Sequence, residues 1–351
     1  MRPSFSPDAI EPLIRSVFGL AASQRALPSY SDLNTALEID GETAWVLKIA
    51  NSDESEAILD FQQRALLHLA AADPALRVPK ICPTVEGHPR TVVVGDGGER
   101  HHAWIVTYLE GRFLADLPEH PPALLRDVGR YFGRLDRALS GYGHEAMQRT
   151  LRWDLRQAGL AFPCLPAITD PARRRFAEDI LDRFANQTST ALDRLRMQVI
   201  HNDANDHNVL VPAAGATIRV SGVIDFGDLI WTALVCEPAI AATYALLGKS
   251  EPVDAALHVF EGFNAVFPLT EEELALAFEL ILLRLAMSVC YSARERARAP
   301  DNAYLAVSEA PAWEALQRLT RLDRAAVHAR FVAIRQDPKG FENPSGLTPT
   351  S

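Results

Sequence analysis

Short apolar runs alternate with polar turn segments through much of the first hundred positions and predict a β-rich region. Residues 36–40 and 44–49 are strand-like runs that flank Gly41-Glu42, a pair typical of a hairpin turn. The glycine-rich segment 95–98 separates two further β-rich runs and predicts a second hairpin. We therefore expect the first region to be a small antiparallel sheet.

Helical periodicity replaces this alternation elsewhere. One helix is expected in the first region, because Asp53-x-x-Glu56 has the form of a capping box and opens a periodic run that ends near Ala71. Beyond residue 110 the 3.6-residue period dominates, interrupted by a β-like stretch at 199–226. The helices predicted there are 122–139, 172–195, 252–263 and 270–298, the last opened by a capping box at Thr270-x-x-Glu273.

The two patterns predict an α+β fold with two lobes. Residues 1–108 would form the sheet-rich N-terminal lobe and residues 109–336 the larger helical lobe. The polar, Pro-, Gly- and Ser-rich residues 337–351 are expected to be a flexible tail, or a linker if the chain is part of a longer protein.

Composition and charge exclude several classes of protein. With 351 residues, 48% of them hydrophobic, the chain needs no disulfides or structural metal to support its core. A net charge of −10, without clusters of basic residues, argues against nucleic-acid or anionic-membrane partners. The N-terminal region carries Asp8, Glu11 and Arg15 where a signal peptide would be apolar, and no long uncharged apolar run predicts a membrane span. The four scattered cysteines are typical of free thiols, so we expect a cytoplasmic protein.

The most informative residues lie in the β-like stretch. His201-x-Asp203-x-x-x-x-Asn208 lies between two β-branched runs, and a second apolar run ends in Asp225-Phe226-Gly227. Carboxylate and amide oxygens suit Mg²⁺, which binds through one or two carboxylates together with substrate phosphates. The set therefore indicates metal-assisted phosphoryl transfer, with one Asp accepting the proton of the attacking hydroxyl.

These two motifs resemble those of the aminoglycoside phosphotransferase and choline kinase family, which has a protein-kinase-like fold. The resemblance implies that Asp203 is the catalytic base, that Asn208 and Asp225 bind Mg²⁺, and that ATP or GTP is the co-substrate. By the same resemblance His201 holds the loop by hydrogen bonds. The amino-acid sequences of segments 202–206 and 27–34 most resemble those of the hydroxylysine kinase branch.

The family also implies a strand lysine that grips the nucleotide phosphates, and Lys48 in an apolar strand fits this role. Its usual partner is a glutamate of the next helix, where this sequence has Gln62. Gln62 shares the apolar face of Ile58, so it is expected to point inward and to hydrogen-bond Lys48. In the alternative, Glu56 or Asp60 supplies the charge.

Two other nucleotide contacts leave weaker signals. The family's glycine-rich phosphate loop is absent, and the hydroxyls of Ser29 and Ser31 with nearby backbone amides are the candidates to replace it; a plain surface turn is the alternative. The segment from Thr107 through Leu109 to Glu110 occupies the position of a kinase-like hinge, whose backbone would meet the base.

Residues of the helical lobe must select the phosphate acceptor. Arg284 lies in an otherwise apolar helix and begins a polar stripe with Ser288, Ser292 and Glu295. Because an unpaired buried charge is costly, Arg284 needs a partner. It would bind the carboxylate of an amino-acid substrate or, in the alternative, form an internal salt bridge. Asp228 and Glu237 would bind the substrate's ammonium group, and Trp231 would line the substrate pocket. A structural role for Glu237 is left open.

Together these features predict a small-molecule kinase that phosphorylates a hydroxyl of an amino alcohol or a hydroxylysine-like hydroxy amino acid. Aminoglycoside, choline/ethanolamine and homoserine kinases are alternatives within the family. A non-catalytic pseudokinase scaffold is the alternative outside it, favoured by Gln62 and by the missing glycines. A homodimer, or fusion or association with a second metabolic enzyme, is left open.

Overall fold

The computed structural model describes residues 3–29, 32–213, 219–298 and 309–335. By its internal contacts the chain divides into two units. Unit 1 contains the described residues of 1–117, 138–149 and 207–231, and unit 2 contains 118–137, 150–206 and the described residues from 232 onward. Ser31 and the tail 337–351 lie outside the described residues.

An antiparallel sheet forms the main part of unit 1, in the order β1-β2-β3-β6-β4, with β5 also paired to β6. Its strands are β1 (Ser23–Leu27), β2 (Leu33–Ile39), β3 (Glu42–Ile49), β4 (Ile81–Cys82), β5 (Thr91–Val94) and β6 (Arg100–Thr107). Both predicted hairpins are confirmed. The first turns at Asp40 and Gly41, whose φ values of 53° and 85° suit the tight turn between twisted strands.

Two helices accompany this sheet, α1 (Pro7–Phe18) and α2 (Glu56–Ala72), so the prediction of one helix was wrong. Ile10, Ile14 and Phe18 lie on one face of α1 and pack into the core of the sheet. The capping box predicted at Asp53 was also wrong, because Ser55 is the N-cap of α2 and makes no side-chain capping bond.

A second, three-stranded sheet of unit 1 carries two of the predicted site residues. It consists of β7 (Arg112–Phe113), β9 (Val209–Val211) and β10 (Gly222–Val223), with β9 in the middle. Gly222 allows β10 to approach its neighbours closely, since a Cβ there would lie 3.1 Å from the Arg77 carbonyl oxygen and from Leu109 Cδ1.

Helices make up most of unit 2. They are α3 (Pro122–Ala138), α4 (Pro171–Arg183), α5 (Ser189–Leu192), α6 (Cys236–Ala245), α7 (Pro252–Val266), α8 (Glu271–Arg298), α9 (Glu309–Leu319) and α10 (Arg324–Ala333). Strand β8 (Met197–Ile200) precedes the H-x-D loop and pairs with β11 (Ile230–Ala233). Gly129 of α3 and Gly262 of α7 each face the other helix's backbone, at positions where no Cβ would fit.

Helix α8 is the central element of unit 2, and α4, α6, α9 and α10 all pack against it. The capping box predicted at its start is confirmed: Glu273 N–H donates to Thr270 Oγ1 and Thr270 N–H donates to Glu273 Oε2. Among the described residues α8 alone is long and apolar enough to cross a membrane, and 78% of its most apolar window is buried within the protein. That burial is typical of a core helix.

The single helix predicted over 172–195 is interrupted. Helix α4 ends at Arg183, a π-helical turn covers Phe184–Thr188, and the short α5 follows. The other predicted helices of unit 2 are present, with ends shifted by up to three residues.

Candidate active site

The β9–β10 ladder brings Asn208 and Asp225 to the same end of the second sheet of unit 1. Val209 pairs with Val223, and one step further the Ile224 N–H donates to the Asn208 carbonyl over 2.9 Å. Asn208 is buried, whereas Asp225 is exposed. An amide oxygen and a carboxylate therefore stand at one strand end, which is a suitable donor pair for a hard cation that also binds phosphate oxygens.

Asp225 lies in a strained backbone conformation. Its φ of 62° is in the left-handed region, which costs a residue with a Cβ about 1 kcal/mol. Its carboxylate Oδ1 accepts a hydrogen bond from the Gly227 N–H over 3.2 Å. The Gly227 carbonyl in turn accepts from Gln62 Nε2 at 3.2 Å and from Arg149 Nη2 at 2.6 Å.

Lys48 is the last residue but one of β3, with its Nζ 5.9 Å from the centre of the Trp104 ring. The neighbouring Leu47 and Ile49 belong to the core that α1 covers, so Lys48 points to the opposite face of the sheet. Gln62 bonds the Gly227 carbonyl, which is a different partner from the predicted Lys48. Phosphate binding by Lys48 stays a prediction.

Glu56 and Asp60, the alternative partners for Lys48, both lie against Arg90 in the structure. Arg90 Nη2 is 2.9 Å from Glu56 Oε1, and Arg90 Nη1 is 3.2 Å from Asp60 Oδ1. The hydrogen bond from Arg90 lowers the pKa of Glu56. Both carboxylates therefore stabilise the attachment of α2 to the segment before β5.

The other predicted nucleotide residues lie at strand ends of unit 1. Ser29 follows β1, and its Oγ accepts from the Asp32 N–H over 3.3 Å. Thr107 ends β6, where its N–H donates to the Lys80 carbonyl, and the Tyr108 N–H donates to the Ala44 carbonyl. These two backbone donors are therefore engaged within unit 1, and contact of the segment from Thr107 to Leu109 with a base stays a prediction.

The loop after β8 in unit 2 holds Asp203 through its backbone. His201 is fully buried against Phe132, with 5.9 Å between the ring centres, and its Nδ1 accepts from the Asp203 N–H over 3.3 Å. Asn202 has a φ of 65°. Asp203 Oδ1 accepts from Asn205 Nδ2 over 2.9 Å. These contacts agree with a loop-holding role for His201.

Glu237, at the start of α6, has no exposed surface and supports the same loop. Its Oε2 accepts from the Asn202 N–H over 3.0 Å. This geometry favours the structural alternative over contact with a substrate's ammonium group. Burial, with a smaller contribution from the nearby Asp203, raises the pKa of Glu237 from 4.5 to about 8, although the loop's N–H groups and Arg284 act in the opposite direction. Burial and Glu237 likewise raise the pKa of the fully buried Asp136 of α3.

This buried carboxyl pair predicts that the free energy of unfolding falls as the pH rises from 4.5 to about 8. Because the folded pKa of Glu237 lies above the unfolded value of 4.5, its contribution is complete below pH 4.5 and is lost as the pH rises to about 8. Over that window the free energy of unfolding should fall by up to about 1.4 kcal/mol per pH unit for one proton. Denaturant unfolding at several pH values would measure the slope. Glu237→Gln, which keeps the acceptor for Asn202, should flatten it; equal slopes would contradict the assignment.

Arg284 is only 1% exposed and anchors the surroundings of Asp203. Its guanidinium donates to the Trp153 carbonyl over 2.9 Å and to the Tyr244 hydroxyl over 3.3 Å, and its Nη2 lies 3.7 Å from Asp203 Oδ1. The guanidinium also stacks 4.5 Å above the Trp153 ring. Such complete burial favours the internal ion pair over recognition of a substrate carboxylate.

Asp228 and Trp231, the remaining predicted substrate residues, follow the Asp225 loop in unit 1. Asp228 is half-buried and stabilises the protonated form of Arg149, and Trp231 is a half-buried residue of β11. A role in substrate binding stays a prediction for both.

The sequence reading missed four side chains that shape these groups: Asp136, Arg149, Trp153 and Tyr244. Tyr244 is the one with a usable signal, because it follows Glu237 by seven residues and so shares its helical face. Arg149 and Trp153 lie in irregular chain, where no period places a side chain.

The donor set suits a nucleotide-bound magnesium ion. Asn208 and Asp225 supply one amide and one carboxylate oxygen, which leaves further positions for phosphates and water. Among the described residues no group of three or more His, Cys, Asp or Glu residues forms a self-sufficient metal centre.

An antiparallel sheet region with a strand lysine, followed by a helical region that carries the H-x-D loop, defines the class: a phosphotransferase with a protein-kinase-like α+β fold. Residues 23–273 match the Phosphotransferase enzyme family, APH. Because that match spans most of the chain, the chain belongs to this family.

Individual relatives agree. The chain is 31% identical to a hydroxylysine kinase of Bos taurus over 93% of its own length and 92% of the relative's. An amicoumacin kinase in complex with AMP-PNP, Ca²⁺ and Ami has a TM-score of 0.62 at 15% identity, covering 93% of this chain and 90% of that one. A choline/ethanolamine kinase family protein from Mesorhizobium loti has a TM-score of 0.61 at 13% identity, covering 94% and 99%. The expected fold is confirmed, and the protein is a small-molecule kinase.

Proposed function

We propose that this kinase transfers the γ-phosphoryl group of ATP or GTP, with Mg²⁺, to the hydroxyl of an amino alcohol or hydroxy amino acid, 5-hydroxylysine being the first candidate. The observation that carries the proposal is the pairing of β9 with β10, which sets Asn208 and Asp225 at one strand end while Asp203 lies five residues before Asn208 in the same loop. The hydroxylysine kinase relative supports the choice of acceptor.

In the proposed reaction Asp203 accepts the proton of the substrate hydroxyl. The hydroxyl oxygen forms a bond to the γ-phosphorus, the bond from that phosphorus to the bridging oxygen breaks, and the nucleoside diphosphate leaves. Asn205 and Arg284 fix the orientation of the Asp203 carboxylate, and His201 and Glu237 hold its backbone. These contacts place the base before the substrate arrives, which reduces the reorganisation needed during the reaction.

On the nucleotide side, Asn208 and Asp225 would hold the metal and Lys48 would bind phosphate oxygens. When bound, Mg²⁺ would neutralise the negative charge of the phosphates. Ser29 and the N–H groups after β1 would cover the phosphates, and the backbone from Leu109 onward would meet the base. Nucleotide complexes of a structural neighbour, such as AMP-PNP in the amicoumacin kinase, support this assignment.

The acceptor is tested with a panel of 5-hydroxylysine, homoserine, ethanolamine, choline and an aminoglycoside. In 5-hydroxylysine the hydroxyl stands next to a primary ammonium group whose N–H groups donate hydrogen bonds, whereas choline has no such donor. We therefore expect kcat/KM for 5-hydroxylysine to exceed that for choline by at least about 100-fold. Coupled measurement of nucleoside diphosphate, with a blank lacking acceptor, checks this. Turnover of choline without turnover of 5-hydroxylysine would contradict the proposed acceptor.

A further inference from the structure

Gln62 and Arg149 meet at one backbone carbonyl of the loop that carries Asp225. The Gly227 oxygen accepts from Gln62 Nε2 at 3.2 Å and from Arg149 Nη2 at 2.6 Å. Arg149 Nη2 also lies 2.9 Å from the Leu229 carbonyl oxygen. A carbonyl oxygen has two lone pairs, so these donors saturate the Gly227 carbonyl and fix its direction.

The same glycine is bonded to the Asp225 carboxylate through its N–H. A glycine has more backbone freedom than any other residue, and Asp225 itself has a left-handed φ of 62°. Without bonds to the carbonyl, the chain at Gly227 would rotate and move the N–H that orients the carboxylate. The two side chains therefore act on Asp225 through Gly227.

The chemistry of residue 62 agrees with this arrangement. Its partner is an acceptor, so residue 62 must donate, which a glutamine amide does and an ionised glutamate does not. The departure from the expected glutamate thus matches the change of partner from Lys48 to the Gly227 carbonyl.

Two carboxylates offset the cost of burying the Arg149 cation. Burial lowers the pKa of Arg149, whereas the carboxylates of Asp228 and Glu54 raise it and stabilise the protonated guanidinium. The half-buried cation is thus held between a residue just before α2 and the loop after Asp225.

We propose that Gln62 and Arg149 are positioning residues that hold the Asp225 loop in the conformation required for metal-bound nucleotide. This inference rests on the proposed function, in which Asp225 holds the metal. It gives Gln62 a task different from the phosphate-lysine contact expected from the sequence.

The test measures how Mg²⁺ changes binding of a fluorescent nucleotide analogue to the full-length enzyme. Gln62→Glu removes the donor with little change of shape, and Arg149→Lys keeps the charge but loses the planar fork of the guanidinium. Each should raise the Mg²⁺ concentration for half-maximal binding by about 10- to 100-fold, the range typical of residues that orient a metal ligand. Binding without Mg²⁺ should change less than about twofold.

Controls separate the possible failures. Gln148→Glu adds the same charge at an exposed neighbour of Arg149 and should leave the Mg²⁺ dependence unchanged. Asp225→Asn is measured in parallel. If Asp225→Asn abolishes the Mg²⁺ dependence while both positioning variants behave as the wild type, this inference is overturned and the proposed metal site stands. If none of the three variants alters the dependence, the proposed metal site fails and the inference with it.

Discussion

Replacing Asp203 with asparagine should lower kcat by about 1,000-fold, because the hydroxyl of the acceptor would lose its general base. Asparagine is preferred to alanine, since Asp203 lies 3.7 Å from the buried guanidinium of Arg284 and receives a bond from Asn205. An amide keeps the shape of the side chain, whereas alanine would also leave space beside Arg284. KM for nucleotide should change little.

The Asp203 variant is compared with Asp179→Ala, which removes an exposed aspartate of α4 in the same unit. Initial rates are measured with saturating nucleotide and acceptor, and circular dichroism confirms that each variant is folded. A near-normal kcat of the Asp203→Asn enzyme would contradict the proposed mechanism.

Replacing Asp225 with asparagine should lower kcat/KM by at least about 100-fold, since its carboxylate at the end of the β9–β10 ladder would be lost. Asparagine tolerates the left-handed conformation that Asp225 adopts at a φ of 62°, and alanine does not. The variant therefore removes charge without forcing the loop to refold.

Nucleotide binding with and without Mg²⁺ isolates the cause in this variant. We expect Mg²⁺ to lose its effect on binding, while the melting temperature stays close to that of the wild type. Asp96→Asn, in the exposed turn before β6, is the matched control. Wild-type Mg²⁺ dependence in Asp225→Asn would show that the metal is held elsewhere.

Local sequence signals predicted the elements that depend on local chemistry. The hairpins were predicted from β-rich runs on either side of turn residues, and the start of α8 from the reciprocal pair Thr270 and Glu273. Helix α1 was not predicted, although Ile10, Ile14 and Phe18 give it an amphipathic pattern. Helix α6 is buried almost all round, so no polar face marked its period.

The candidate site likewise contains residues that local motifs predicted and contacts that only the tertiary structure shows. The sequence predicted four site residues, because the spacing within each motif identifies them: His201, Asp203, Asn208 and Asp225. The partners of Gln62 and Arg284 could not be predicted, because they are set by tertiary contacts. Gln62 donates to a carbonyl 165 residues away along the chain, and Arg284 donates to the carbonyl of Trp153. A single sequence shows that Arg284 needs a partner but does not show which residue supplies it.

The proposed reaction transfers one phosphoryl group to the hydroxyl of 5-hydroxylysine. Mass spectrometry and phosphorus NMR of the product, after incubation of the wild-type enzyme with 5-hydroxylysine, Mg²⁺ and either ATP or GTP, test it most directly. We predict a phosphomonoester on the side-chain hydroxyl, formed in equal amount to the nucleoside diphosphate and absent with Asp203→Asn. Nucleotide consumed without that ester, or an unchanged amino acid after complete incubation, would contradict the account.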